Sequence, residues 1–115
     1  MTDGTGSEPC PCCGRRTLDE RGGYDICRVC WWEDDGQDNS EADLVWGGPN
    51  SDLSLTQARA NVLLRGIFDP RRTDLRKSQD PAATYEAGRI FVFAADRSAI
   101  MEPSTGWQSR SFVIE

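Results

Sequence analysis

No histidine occurs anywhere in this 115-residue chain. That removes the usual general base and the usual ligand of an open, water-activating zinc site. No Gly-rich phosphate loop and no nucleophile elbow is present. No pair of carboxylates is set apart by its surroundings, and no small-molecule substrate is evident, so the sequence points away from an enzyme. No stretch approaches the length of a membrane span, and residues 1–9 are polar and acidic rather than the apolar core of a secretory signal. The expected location is therefore cytoplasmic, where thiols stay reduced, and no membrane partner is expected. Internal repeats and low-complexity tracts are absent too. Hydrophobic residues make up only 37% of the chain. The core is thin for the length, so one compact domain, or a stapled half with a smaller second half, is the expectation.

What the chain does have is cysteine. Five are present, four of them in two pairs: Cys10 with Cys13, and Cys27 with Cys30. Two Cys-x-x-Cys pairs separated by 13 residues suit one tetrahedral four-thiolate site. Pro11 fixes φ early in the first knuckle and Gly14 supplies a permissive position after it. A disulfide framework fits poorly with a reduced compartment and an odd cysteine count. A thioredoxin-like redox pair would need one pair opening a helix, and neither does. The expected cofactor is one structural Zn2+, held by Cys10, Cys13, Cys27 and Cys30 and supplying much of the folding free energy of the first half. Iron is the second choice, because four thiolates also hold it. Cys12 is the leftover. It reads as a small, partly buried thiol, with an oxidant- or metal-linked sensor as the sharper alternative.

Charge is unevenly placed. Residues 1–50 carry 11 acids and 4 bases, whereas residues 51–115 carry 8 acids and 9 bases. A divalent ion with four thiolates adds about −2, which Arg15, Arg16 and Arg28 stand close enough in sequence to offset. Glu33, Asp34, Asp35, Asp38, Glu41 and Asp43 fall within 11 residues without a base. Their order lacks the alternation and late bidentate Glu of a calcium loop. The plain reading is a solvated loop; the functional reading is an acidic face that binds a basic protein and speeds encounter with it. A nucleic-acid binder would show a basic face instead. Arg71, Arg72, Arg76 and Lys77 form the one basic cluster, a weak signal by itself.

The local patterns predict a small metal-bound α+β fold. Residues 16–18 and 24–26 read as two strands of a zinc-ribbon-like knuckle hairpin, turned by Glu20 to Gly23. Trp31 or Trp32 is expected to cover the metal site. Residues 34–53 look irregular, with a turn at 47–50. One amphipathic helix is expected over 55–65, with Ser54 and Gln57 as a capping box, an apolar stripe of Leu55, Ala58, Val62 and Leu63, and Gly66 as the stop. A C-terminal antiparallel β meander is expected from 89–94, 99–101 and 111–114. The boundaries that follow are a flexible N-terminus over 1–9, a cysteine-rich unit over 10–68, and a linker with the β segment over 69–115 packed on that unit.

The first half resembles the bacterial cysteine-rich CPCC proteins. The resemblance rests on residues 10–14, Thr17, Leu18, residues 24–27, Val29, Cys30, residues 32–35, Gly47, Gly48, Asn50, Ser54, Leu55, Ala58, Arg59 and Asn61. It covers roughly residues 8–64. It implies a zinc-ribbon-like site on Cys10, Cys13, Cys27 and Cys30, and no assigned reaction. Residues after Phe68 fall outside it.

Three functions are then open. The first is a non-catalytic protein-interaction module, of the kind an immunity or antitoxin-like inhibitor of a basic effector would be. The second is a nucleic-acid-binding ribbon using Arg71 to Lys77 and an exposed Trp. The third is a thiol redox or metal-linked sensor through Cys12.

Overall fold

The computed structural model describes residues 8–110. Two short strands come first, β1 (Glu8–Pro9) and β2 (Arg16–Leu18). After a long irregular stretch come α1 (Leu55–Arg65) and the single-turn α2 (Thr73–Arg76). The chain then makes β3 (Val92–Phe93), β4 (Ile100–Glu102) and β5 (Trp107–Gln108). The last three form an antiparallel sheet in the order β3-β4-β5. This is the expected α+β arrangement: an N-terminal hairpin bearing the cysteines, one main helix, and a C-terminal meander.

The strand partners near the cysteines differ from expectation. β2 pairs with β1, Pro9 opposite Arg16, and not with residues 24–26. Those residues pair instead with the chain just beyond the second knuckle, where Ile26 faces Glu33 and the Tyr24 N–H donates to the Asp34 carbonyl at 2.9 Å. Each Cys-x-x-Cys thus sits at the tip of its own narrow hairpin. Closing such a short loop costs less chain entropy than closing the 13-residue connection between the pairs. The Asp25 carboxylate holds that connection in place by accepting the Asp19 N–H at 2.9 Å.

Helix α1 begins and ends where the sequence places it. The Ser54 hydroxyl accepts the Gln57 N–H at 3.0 Å, and Gly66 closes the helix at φ 79°. The capping box is only half made, because the Gln57 side chain donates to Asn61 Oδ1 at 3.2 Å instead of turning back. The buried face carries Leu55, Thr56, Ala58, Arg59 and Ala60, while Leu63 faces solvent. The expected apolar stripe therefore contains an arginine.

The main core gathers Cys10, Cys12, Cys27 and Cys30 with Leu18, Trp32, Leu55, Ala58, Ile67, Phe68 and Tyr85. A smaller cluster joins Ala60 to Phe91 and Ile100, with Phe93 and Trp107 packed on it. The apolar run at 89–94 contributes only Val92 and Phe93 as strand, and the third strand is Trp107–Gln108. Residues 1–7 of the expected N-terminal segment, and the strand expected at 111–114, lie outside the described residues. Among the described residues no helix is long and apolar enough to cross a membrane.

Candidate metal centre

The sulfurs of Cys10, Cys13, Cys27 and Cys30 all lie within 4.8 Å of one another. Cys10 and Cys30 are 3.7 Å apart, and Cys13 and Cys27 are 3.6 Å apart. A tetrahedral ion with bonds of about 2.3 Å holds its sulfurs about 3.8 Å apart, so the donor set fits a thiolate-bound zinc or iron closely. The Cys12 N–H points at Cys10 Sγ and the Cys30 N–H at Cys27 Sγ, both at 3.4 Å. Such amides offset sulfur charge without adding a ligand. Cys12 stands outside the four and is itself buried.

Packing four thiols together splits their acidities. Burial raises the Cys10 and Cys30 thiols well above their ordinary value. Cys13 also ends well above its usual value: the Cys10 contact lowers it, but Cys27 and Cys30 outweigh that. Cys27 moves the other way, because its contacts with the other three sulfurs overcome the cost of its burial. One thiolate is therefore favoured in the cluster before any cation arrives, and a cation must displace the remaining protons.

The rest of the chain grips both knuckles by their carbonyls. On the second, Arg28 accepts the Asp80 N–H at 2.9 Å, Val29 accepts Gln79 Nε2 at 2.6 Å, and Cys30 accepts the Phe68 N–H at 3.0 Å. On the first, Pro11 accepts Arg59 Nε at 2.7 Å, and Gly14 accepts the Gly88 N–H at 2.7 Å. Trp32 is buried in the same cluster as the cysteines, edge-on to Phe68 with ring centres 6.1 Å apart. Trp31 is half-buried beneath Arg28, whose guanidinium carbon is 5.4 Å from the ring centre. The model for the cysteine-rich CPCC family matches residues 8–84.

The chain belongs to the cysteine-rich CPCC family. The match extends twenty residues beyond the segment on which the sequence resemblance rests, and so includes the 68–80 stretch that holds the second knuckle. No curated protein and no solved structure matches the chain. The geometry accounts for several residues that carry the CPCC likeness. Asn50 is buried and acts as a one-residue strand, its Nδ2 donating to the Glu33 carbonyl at 2.8 Å and its Oδ1 accepting the Glu33 N–H at 3.1 Å. Asn61 Nδ2 donates to the Phe68 carbonyl at 2.8 Å, tying α1 to the residue whose N–H meets the Cys30 carbonyl.

The acidic run, expected as a partner-binding face, is turned partly inward. None of its six carboxylate residues is fully exposed. Asp34 is buried and accepts Arg21 Nε at 2.9 Å and the Gly22 N–H at 2.6 Å. Asp35 accepts the Gln37 N–H at 3.0 Å, and Glu41 accepts the Asp38 N–H at 3.1 Å. Asp43 takes the Thr56 hydroxyl at 2.6 Å and the Arg110 N–H at 2.8 Å. Glu33 is half-buried, with its backbone held by Asn50. Asp38 accepts Arg21 Nη1 at 2.7 Å and Arg89 Nη2 at 2.9 Å. Burial opposes its charge, yet the two arginines hold it down at about 2. Arg89 also grips Glu102 and holds that carboxyl at about 2. Internal arginines thus pair Asp34 and Asp38, and local turns hold the carboxylates of Asp35, Glu41 and Asp43.

Sequence reasoning missed Arg21, Arg59, Arg89 and Glu102 as one network. The usable signal is Arg59, which lies four residues after Leu55 and so on the buried side of α1. The three arginines of the basic cluster are likewise partnered. Arg71 pairs with Asp52 at 2.6 Å and Asp69 at 2.9 Å, Arg72 pairs with Asp74 at 2.9 Å, and Arg76 donates to the Arg65 carbonyl at 2.9 Å.

Proposed function

We propose that this CPCC protein is a zinc-stapled, non-catalytic protein-interaction module. Support for zinc comes from four soft donors at tetrahedral separations, a site with no position left for substrate. Support for a non-catalytic role comes from the perturbed carboxylates. Asp38 and Glu102 point at arginines and bind the fold together, and the chain holds no histidine to share a proton with them.

The observation that carries the interaction reading is a loop. Leu44, Val45 and Trp46 are consecutive and are exposed by 56%, 56% and 49%. Val45 continues into an open groove of about 550 Å³ that it shares with Leu53, Leu64 and Arg71. Three adjacent large apolar side chains held in water on an otherwise polar loop mark an interaction site. The partner class is a basic protein, drawn by a net charge of −6 and anchored by the loop. An immunity-type inhibitor of a basic effector is the form of this reading that the charge suits best.

The test has two parts. Metal analysis of purified protein should give one zinc per chain, lost in Cys27→Ser. Immobilised protein and its Trp46→Ser variant are then compared for capture of proteins at rising salt. A basic protein held by the first and released by the second, with zinc intact in both, supports the reading. Equal capture by both would remove the loop, and salt-sensitive capture of nucleic acid would replace the protein partner.

A further inference from the structure

Arg59 is a buried cation without a carboxylate at hydrogen-bond distance. Its side chain is 0% exposed, and the nearest acid, Asp38, is 3.7 Å away. The oxygens of Asp38 already accept from Arg21, Arg89 and the Asn39 N–H, and Glu102 is engaged by Arg89, Asn39 and Thr105. Arg59 itself donates to two neutral oxygens, Pro11 O at 2.7 Å and Asn39 Oδ1 at 2.9 Å. Its Nη2 has no hydrogen-bond partner among the described residues. Phe91 and Trp107 stack on it, their ring centres 4.0 and 4.6 Å from the guanidinium carbon. The rings bring quadrupoles but no formal charge. A charge kept out of water in this way needs opposite charge nearby, and Asp38, its ion-pair partner at 3.7 Å, is shared with Arg21 and Arg89.

The carbonyl it grips belongs to the first knuckle. Pro11 lies between Cys10 and Cys12, so Arg59 is fastened to the backbone that carries a metal ligand. Four thiolates around a divalent ion leave about −2 in a site screened from water. Among the cations close in sequence, Arg15 donates to the Tyr85 carbonyl and Arg28 lies over the Trp31 ring. We propose that Arg59 is the buried counter-cation of the metal–thiolate centre, and that its charge sets both the affinity of that centre and its preference between metal charges. The proposal rests on the metal-bound reading above. It adds a consequence for the C-terminal sheet: Phe91 and Trp107 enclose a cation whose anion is the loaded metal site, so loading and the seating of the sheet reinforce one another.

The decisive comparison is Arg59→Met, which keeps the length and removes the charge, against Arg59→Lys. Zinc affinity is read by competition with a chromophoric chelator, and the iron-loaded protein is titrated for its reduction potential. Removing a nearby cation disfavours the more negative ferrous centre. Arg59→Met should therefore bind zinc at least tenfold more weakly and show a lower potential. A tenfold effect on the redox ratio is about 59 mV for one electron. Arg59→Lys should keep most of the potential. A side chain that only packs would alter neither the potential nor its response to charge. Equal affinity and potential in wild type and Arg59→Met would overturn the proposal. If Arg59→Met does not fold, a Lys variant with a wild-type potential supports it, and a Lys variant whose potential falls overturns it. Should the wild-type protein take up no metal, the zinc reading fails and this proposal falls with it. Metal bound equally well by both proteins sinks the counter-cation alone.

Discussion

Gly14 and Trp31 hold the same place in the two knuckles. Each donates its N–H to the carbonyl of the first cysteine of its pair at 2.8 Å, and each does so at positive φ, 85° for Gly14 and 70° for Trp31. Positive φ costs a side chain about 1–2 kcal/mol. Trp31 tolerates it because its half-buried ring packs on the core beneath Arg28. Gly14 has no such freedom, since a Cβ there would collide with the Arg89 carbonyl.

Gly14→Ala should therefore cost well over the ~1–2 kcal/mol of positive φ alone, whereas Gly66→Ala, at φ 79° with open space around it, should cost about that amount. Thermal unfolding of the metal-loaded variants measures both. Equal losses would mean that residues 88–89 do not press on the first knuckle.

Asn50→Asp should destabilise the second hairpin by about 1–3 kcal/mol. The new carboxylate still accepts the Glu33 N–H but faces the Glu33 carbonyl with a lone pair where Nδ2 donated. Loss of amide exchange protection at Glu33 is the local readout.

Asp38 and Glu102 are both held at about 2, below their unfolded values near 4. Their contribution to stability is present above about pH 4 and lost as pH falls toward 2. Glu102→Gln should lower stability at neutral pH by about 1–3 kcal/mol, because Arg89 loses one of its two carboxylate partners and keeps Asp38. It should also flatten the acid limb of a pH–stability curve, and an unchanged limb would place the acid sensitivity elsewhere.

Zinc binding should release protons. Cys10, Cys13 and Cys30 are raised above their ordinary value, so they hold protons at neutral pH that a bound cation displaces. Calorimetry in buffers of different ionisation enthalpy counts them. Release of none would mean that the cluster is already fully ionised.

Much of this was legible before any coordinates. The gathering of Cys10, Cys13, Cys27 and Cys30 follows from spacing, because a Cys-x-x-Cys closes locally whatever surrounds it. The helix ends at Ser54 and Gly66 follow from capping chemistry in the same way. Strand pairing around the knuckles was misjudged. The period of residues 16–18 and 24–26 fits either partner, and the choice turns on loop closure. The part-burial of the acidic run was hidden for a different reason. Composition counts charges without saying which way they point, and the arginines that neutralise Asp34 and Asp38 come from positions 21 and 89, far from the run. Arg59 shows the same limit: a charged residue on a helix face reads as solvent-facing until the rings that enclose it are known.

The family match ends at residue 84, while Arg89, Phe91, Glu102 and Trp107 all lie beyond it. Cutting the chain at that point would strip the lid from Arg59 and leave Asp38 with one fewer arginine. The stretch that defines membership thus shares its buried charges with the segment that follows it. Anyone trimming it for expression, or grafting its knuckles onto another scaffold, should carry residues 85–110 along.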